Sequence, residues 1–244
     1  MASWIAETRK RLYRNVKYQI IRPAPPAAPA PFKAPVVVVG SAPVSNMVKG
    51  WQPDFPIITI NGSQSAITPW GFSAPDITFL QFNQIEGTNT NAVEVRRVLS
   101  GQRTGALYVF LWRKDDRPRL ENGLRAFDYQ YDSLQIVDRY ERMALLDRVA
   151  GVKSLELDTE SKCSNGMNAV LFAFHNGAPA VIITGINPGS TGHAYNQAGL
   201  ARAHVQMDKA IVAKLLAQKR PLYTADPKVS EDIGIPLWTG SEWG

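Results

Sequence analysis

The chain has 244 residues, 45% apolar and 20% charged, a balance that excludes a disordered chain and leaves room for one large α/β domain. Its one cysteine, Cys163, excludes an intrachain disulfide framework and a zinc cluster, and with no secretory signal a reducing, cytoplasmic setting is expected. The formal net charge of +6 lies mostly in Arg9, Lys10, Arg11, Arg14, Lys17 and Arg22, opposed nearby by Glu7 alone, so it describes a tail and gives the domain no nucleic-acid partner.

Residues 1–22 carry Trp4, Ile5, Leu12, Tyr13, Val16, Ile20 and Ile21 among these cations, a helix composition suited to lipid headgroups. Each cation near anionic lipid adds about 1 kcal/mol. No apolar run approaches the ~18 residues of a spanning helix, so the expectation is peripheral attachment to an anionic surface, the inner membrane. A solvated or partner-bound basic tail is the plain alternative. Residues 23–34 are proline-rich and predict an extended polyproline spacer, with the domain proper over 35–244.

The domain opens on Val36-Val37-Val38-Val39, a β-branched run suited to a parallel strand buried on both faces. It ends in Gly40-Ser41-Ala42-Pro43-Val44-Ser45-Asn46, small residues that let a ligand approach backbone N–H groups ahead of a helix. The turn is neither a GxGxxG nor a P-loop. Further strands are predicted at 57–60, ending on Asn61, at 76–82, ending on Asn83-Gln84, and at 106–112, with a helix over 91–100. Strand ends rich in amides and hydroxyls suit recognition of a base and ribose.

Between residues 113 and 162 charged and aromatic residues crowd together, and the pattern predicts a lid-like insertion, with helical spacing over 138–150. Asp115-Asp116 sits among cations and is expected to be salt-bridged, not metal-bound. Ser164 then N-caps a helix through Phe174, with Gly166 admitting a close neighbour. A buried strand over 180–184 precedes a long polar loop containing His193 and Tyr195. A helix over 203–219, with His204 in its first turn, and a strand at 222–224 follow.

The order of these motifs resembles the bacterial sialyltransferase-like glycosyltransferases, which use CMP-activated sugars. Gly40-Ser41-Ala42-Pro43-Val44-Ser45 is similar to that family's G-x-x-P-S-like nucleotide turn, with one extra residue before the serine. Asn61 resembles its strand-end asparagine, Ser164-Asn165-Gly166 its T-S-G turn, and Thr184-Gly185-Ile186-Asn187 its S-G-I-D ending. Asn187 stands where an acid is usual, and Tyr195 is the single candidate for its phosphate-contacting tyrosines. His204, ahead of Asp208, looks like its catalytic histidine.

The resemblance implies a Rossmann-like, mostly parallel sheet flanked by helices. It implies an inverting, metal-independent transfer of sialic acid, 3-deoxy-octulosonate or a related ulosonic acid. The donor is a CMP-sugar, no separate cofactor is needed, and the acceptor is a cell-surface glycan or lipid-linked saccharide. The implied donor contacts are Gly40, Ser41, Ala42, Pro43, Ser45, Asn61, Ser164, Asn165, Gly166, Gly185, Asn187, His193 and Tyr195. The chemistry is coherent on its own terms. An imidazole, ordinarily titrating near ~6.5, suits a base that deprotonates an attacking hydroxyl, and no Asp-x-Asp pair is present to clamp a diphosphate on a metal. His175 reads as a helix C-terminal cap and Cys163 as a small packed residue. Two rival readings are a Mg²⁺-dependent pterin pyrophosphokinase-like enzyme and a non-catalytic, nucleotide-binding scaffold at the membrane.

Overall fold

A computed structural model describes residues 2–187 and 204–243. An N-terminal helix, α1 (Ala2–Ile21), precedes a sheet built from β1 (Val36–Val39), β2 (Ile57–Ile60), β3 (Ile77–Gln81), β4 (Arg103–Phe110), β5 (Gln130–Val137), β6 (Val181–Thr184) and β7 (Leu222–Thr224). Their helices are α2 (Phe82–Glu86), α3 (Thr90–Leu99), α4 (Arg117–Arg125), α5 (Arg139–Ala150), α6 (Asn165–His175), α7 (Val205–Ala217) and α8 (Pro227–Ile233). The strand order is β5-β4-β3-β2-β1-β6-β7, and every pairing among the described strands is parallel.

Parallel strands joined by helical crossovers have both faces covered, which is why β1 is valine throughout and all four of its residues are buried. Val36 and Val38 face a core completed by α5, α6 and α7, where Phe172 packs edge-on against Phe79 and Tyr108. Val37 and Val39 face Phe55, Ile67 and Trp238 on the other side, and toward β4 that face is covered by α3 and α4 through Val95, Leu99, Leu120 and Leu124. Helix α6 is buried from Gly166 to Phe174, so its apolar residues extend around the whole cylinder.

Two expectations are corrected. Residues 113–162 are not a lid-like insertion: they contain α4, β5 and α5, and β5 extends the sheet by pairing with β4 from Arg103↔Gln130 to Phe110↔Val137. As an edge strand it exposes Gln130, Asp132, Ser133 and Gln135 and buries only Leu134 and Val137, which hides the strand period in the sequence. Residues 23–34 are also not a free spacer. Pro25 and Pro26 are buried, the Tyr108 hydroxyl donates to the Ala27 carbonyl at 2.6 Å, and the Ala28 amide donates to Asn176 Oδ1 at 2.8 Å. The proline segment is strapped to the domain.

Candidate active site

From β1 the strand order steps through β2 to β5 on one side and to β6 and β7 on the other, so the order of these parallel strands reverses between β1 and β6. The crevice past the C-terminal ends of such a pair is the usual ligand position in open α/β sheets. Here the ends are drawn tightly together: the Gly40 amide donates to the Thr184 carbonyl and the Ala42 amide to the Gly185 carbonyl, both at 2.8 Å. Gly185 has φ +62°, a backbone position natural to glycine. Buried Asp226 fixes the crossing, accepting the Gly185 amide at 2.7 Å and the Asn46 side-chain amide at 2.7 Å.

A cavity of about 550 Å³ opens over this point, lined by Gly40 and Ser41 just after β1, Asn61 just after β2, Gln81 at the end of β3, Phe82, Asn83 and Gln84 of α2, and Gly185 just after β6. Asn61 has φ +52°, which Asn tolerates better than most residues, and its Oδ1 accepts the Gln81 amide at 3.1 Å. On the opposite wall, the Ser164 hydroxyl caps α6 by accepting the Met167 amide at 3.2 Å, and the Ser164 amide donates to Asp208 Oδ1 at 2.9 Å. That wall presents Ser164, Asn165 and Gly166, the first turn of an eleven-residue helix, where an anion is favoured.

His204 lies on the same cavity wall, half-buried, as the N-cap residue just before α7, and not in its first turn as expected. Its Nδ1 lies 2.9 Å from the Thr159 carbonyl oxygen. A carbonyl only accepts, so this contact assigns the proton to Nδ1 and leaves the Nε2 lone pair unprotonated in the neutral ring. An imidazole in that tautomer is prepared to take up a proton.

Cations supply the remaining character. Arg142 and Lys162 line the cavity, and Arg142 pairs with buried Glu156 at 3.0 Å while Arg139 approaches the same carboxylate at 3.6 Å. Burial pushes the Lys162 ammonium below the ordinary lysine range; Glu156 opposes the shift, and Arg139, Arg142 and Arg14 add to it. Burial pushes the Cys163 thiol far above its ordinary range, consistent with a packed residue and not a thiolate nucleophile. Among the described residues no three His, Cys, Asp or Glu side chains cluster to hold a metal ion.

The cavity thus gathers Gly40, Ser41, Asn61, Ser164, Asn165, Gly166, Gly185 and His204 of the residues singled out in the sequence. Ala42, Pro43, Ser45 and Asn187 are not on its lining. After Ser41 the chain is pulled across β6, because the Asn46 amide donates to Thr184 Oγ1 at 2.8 Å, leaving Ala42 buried and Pro43 exposed outside the cavity. Asn187 interacts instead with Asp232 on α8. His193 and Tyr195 lie outside the described residues. Sequence reasoning missed Arg142, Thr159 and Lys162, which stand within the segment 113–162 read as an insertion. It noted Asn83 and Gln84 as strand-end amides without assigning them.

No protein-family model matches the chain, and no curated protein matches its sequence. Solved structures match its fold. The monofunctional alpha-2,3-sialyltransferase Cst-I from Campylobacter jejuni superposes with a TM-score of 0.57 at 13% identity, over 86% of this chain and 81% of that chain. A variant of the sialyltransferase Cst-II in complex with CMP gives a TM-score of 0.56 at 13% identity, over 84% of this chain and 87% of that one. Cst-II from Campylobacter jejuni with the substrate analogue CMP-3FNeuAc gives 0.50 at 12%, over 86% and 88%. The resemblance carried by the motifs is therefore matched by a shared α/β fold.

Proposed function

We propose that this chain is an inverting, metal-independent glycosyltransferase that moves an ulosonic acid from a CMP-sugar to a hydroxyl of a cell-surface glycan or lipid-linked saccharide. The observation that carries the reading is His204, its Nδ1 committed to Thr159 and its ring on the cavity wall that faces the β1–β6 reversal. The fold shared with sialyltransferases, one of them in complex with CMP, supports CMP as the nucleotide.

In this reading Nε2 of His204 takes the proton of the acceptor hydroxyl as its oxygen attacks the anomeric carbon. The bond from that carbon to the phosphate oxygen breaks, CMP leaves, and direct attack inverts the centre. A positioned base of this kind contributes about 10²- to 10⁴-fold. Charge grows on the departing phosphate, where the first turn of α6 together with Lys162 and Arg142 offers donors and positive charge. The amides of Asn61, Gln81 and Asn83 are suited to the base and ribose. A CMP-sugar carries a single phosphate, so no diphosphate has to be clamped by a metal.

The N-terminal helix fits an acceptor held at a membrane. Ile5, Leu12, Val16 and Ile20 recur on one face of α1 and are exposed, with Arg9 among them and other cations beside the face. Among the described residues no helix is long and apolar enough to cross a bilayer.

Calorimetric titration of CMP, UDP, GDP and ATP, each with and without EDTA, tests the reading. Selective CMP binding that survives EDTA supports it. A Mg²⁺-dependent ATP signal without CMP binding favours the pyrophosphokinase alternative and refutes it.

A further inference from the structure

Helix α1 packs on the domain with its charged face inward. Arg14, only 8% exposed, donates through Nη1 to the Leu155 carbonyl at 2.9 Å and also to the Glu156 carbonyl. Lys10 donates to the Leu157 carbonyl at 2.6 Å, and the Lys17 ammonium lies 5.2 Å from the centre of the Tyr140 ring. Residues 10, 14 and 17 share one helical face, so this single face holds three successive carbonyls.

Those carbonyls belong to the irregular connection between α5 and α6, which is closed on itself. The Ser154 hydroxyl donates to the Ser161 carbonyl, the Ser161 amide to Asp158 Oδ1 at 2.7 Å, and the Glu156 amide to the Ser154 hydroxyl oxygen at 3.1 Å. A loop laced in this way shifts as a unit. Glu156 sits in it at φ +48°, a left-handed backbone that costs a non-glycine residue about 1 kcal/mol or more, so it must be held from outside. The holders are the ion pairs to Arg142 and Arg139 on one side and Arg14 on the other. Thr159, whose carbonyl receives His204 Nδ1, lies three residues beyond Glu156.

We propose that Arg14 is a positioning residue for His204: from the N-terminal helix it fixes the Leu155 and Glu156 carbonyls, and through them the Thr159 carbonyl that selects the imidazole tautomer. The catalytic consequence rests on the reading of His204 as the base; the tautomer consequence does not. Without the guanidinium two carbonyls lose their donor and the loop relaxes. Thr159 then releases Nδ1, and the ring returns toward the Nε2–H form that a free histidine side chain favours. That form carries its proton where the base needs a lone pair. An ammonium has three donors, so Arg14→Lys keeps both contacts.

The test is ¹⁵N NMR of the full chain with labelled histidine, the His204 signals assigned by loss in His204→Gln, alongside CMP release from CMP-N-acetylneuraminate. The wild type is expected to show the Nδ1–H tautomer, Arg14→Ala a shift toward Nε2–H, and Arg14→Lys the wild-type pattern. With it, Arg14→Ala should lower kcat by about tenfold or more while KM for the CMP-sugar stays within about twofold. A folded Arg14→Ala that retains the Nδ1–H tautomer overturns the proposal. If Arg14→Ala does not fold, Lys10→Ala serves, with a smaller shift in the same direction expected and an unchanged tautomer overturning it. A tautomer shift in a chain that neither binds CMP nor turns over the donor leaves the positioning role standing and refutes the transferase reading alone.

Discussion

A Cβ built on Gly40 would lie 2.4 Å from the carbonyl oxygen of Gly185, so the C-terminal ends of β1 and β6 meet backbone against backbone. The cavity floor is this contact. Gly40→Ala must therefore push the two strands apart, and overpacking of this kind costs about 1–3 kcal/mol. Urea unfolding should show a loss in that range together with loss of CMP affinity. Gly71 is the comparison: it has φ +90° with nothing within 4 Å, so Gly71→Ala should cost stability through backbone strain but leave nucleotide binding intact.

The Ser164 amide on Asp208 Oδ1, at 2.9 Å, joins the cap of α6 to the helix that carries His204. Asp208 is buried, so Asp208→Ala leaves an amide without its acceptor at a cost of about 1–3 kcal/mol. Asp208→Asn keeps an acceptor oxygen and should cost less. Thermal unfolding gives that order, and CMP release from the donor should fall more for Ala than for Asn.

Much of this arrangement was legible because central parallel strands are written plainly. Val36–Val39 and Ile57–Ile60 stand within their predicted bounds, since strands buried on both faces are apolar at nearly every position. The Ser164 cap was legible from its local residues, and α7 was legible as a helix although it begins at Val205, one residue after His204. The edge strand β5 was not, because half its surface faces solvent and its residues alternate too weakly between apolar and polar. Losing β5 turned α4 and α5 into an insertion and concealed Arg142, Thr159 and Lys162 as cavity residues. Ala42, Pro43 and Ser45 are off the cavity lining for a reason composition does not carry: it suits a ligand turn, but Asp226, far off in sequence, helps draw the loop away.

Lys162 gives the site a pH dependence. Its ammonium is held below the ordinary lysine range by burial, against Glu156 and with help from Arg139, Arg142 and Arg14. The charged form binds an anion, so CMP affinity should decline as pH rises and should do so before an ordinary lysine would titrate. Lys162→Met should bind CMP about tenfold more weakly at neutral pH, the scale of a lost charged hydrogen bond, and should lack that alkaline decline. Titration calorimetry across pH reads both, and an unchanged profile in Lys162→Met would remove it from the phosphate site.

On α1 the outward residues Leu12 and Val16 are separable from the inward Arg14 and Lys10. A fully buried side chain of this size contributes about 1.5–3 kcal/mol. The double variant Leu12→Ser, Val16→Ser should therefore lower partition onto vesicles rich in phosphatidylserine by tenfold or more, with CMP affinity unchanged. Equal sedimentation of variant and wild type with those vesicles would defeat membrane attachment through this face.

Central to the proposed transfer is His204, a base that acts after the nucleotide is bound. His204→Ala should bind CMP within about twofold of the wild type by calorimetry while transfer from the CMP-sugar falls by about 10²-fold or more. Undiminished transfer in a folded His204→Ala would contradict it.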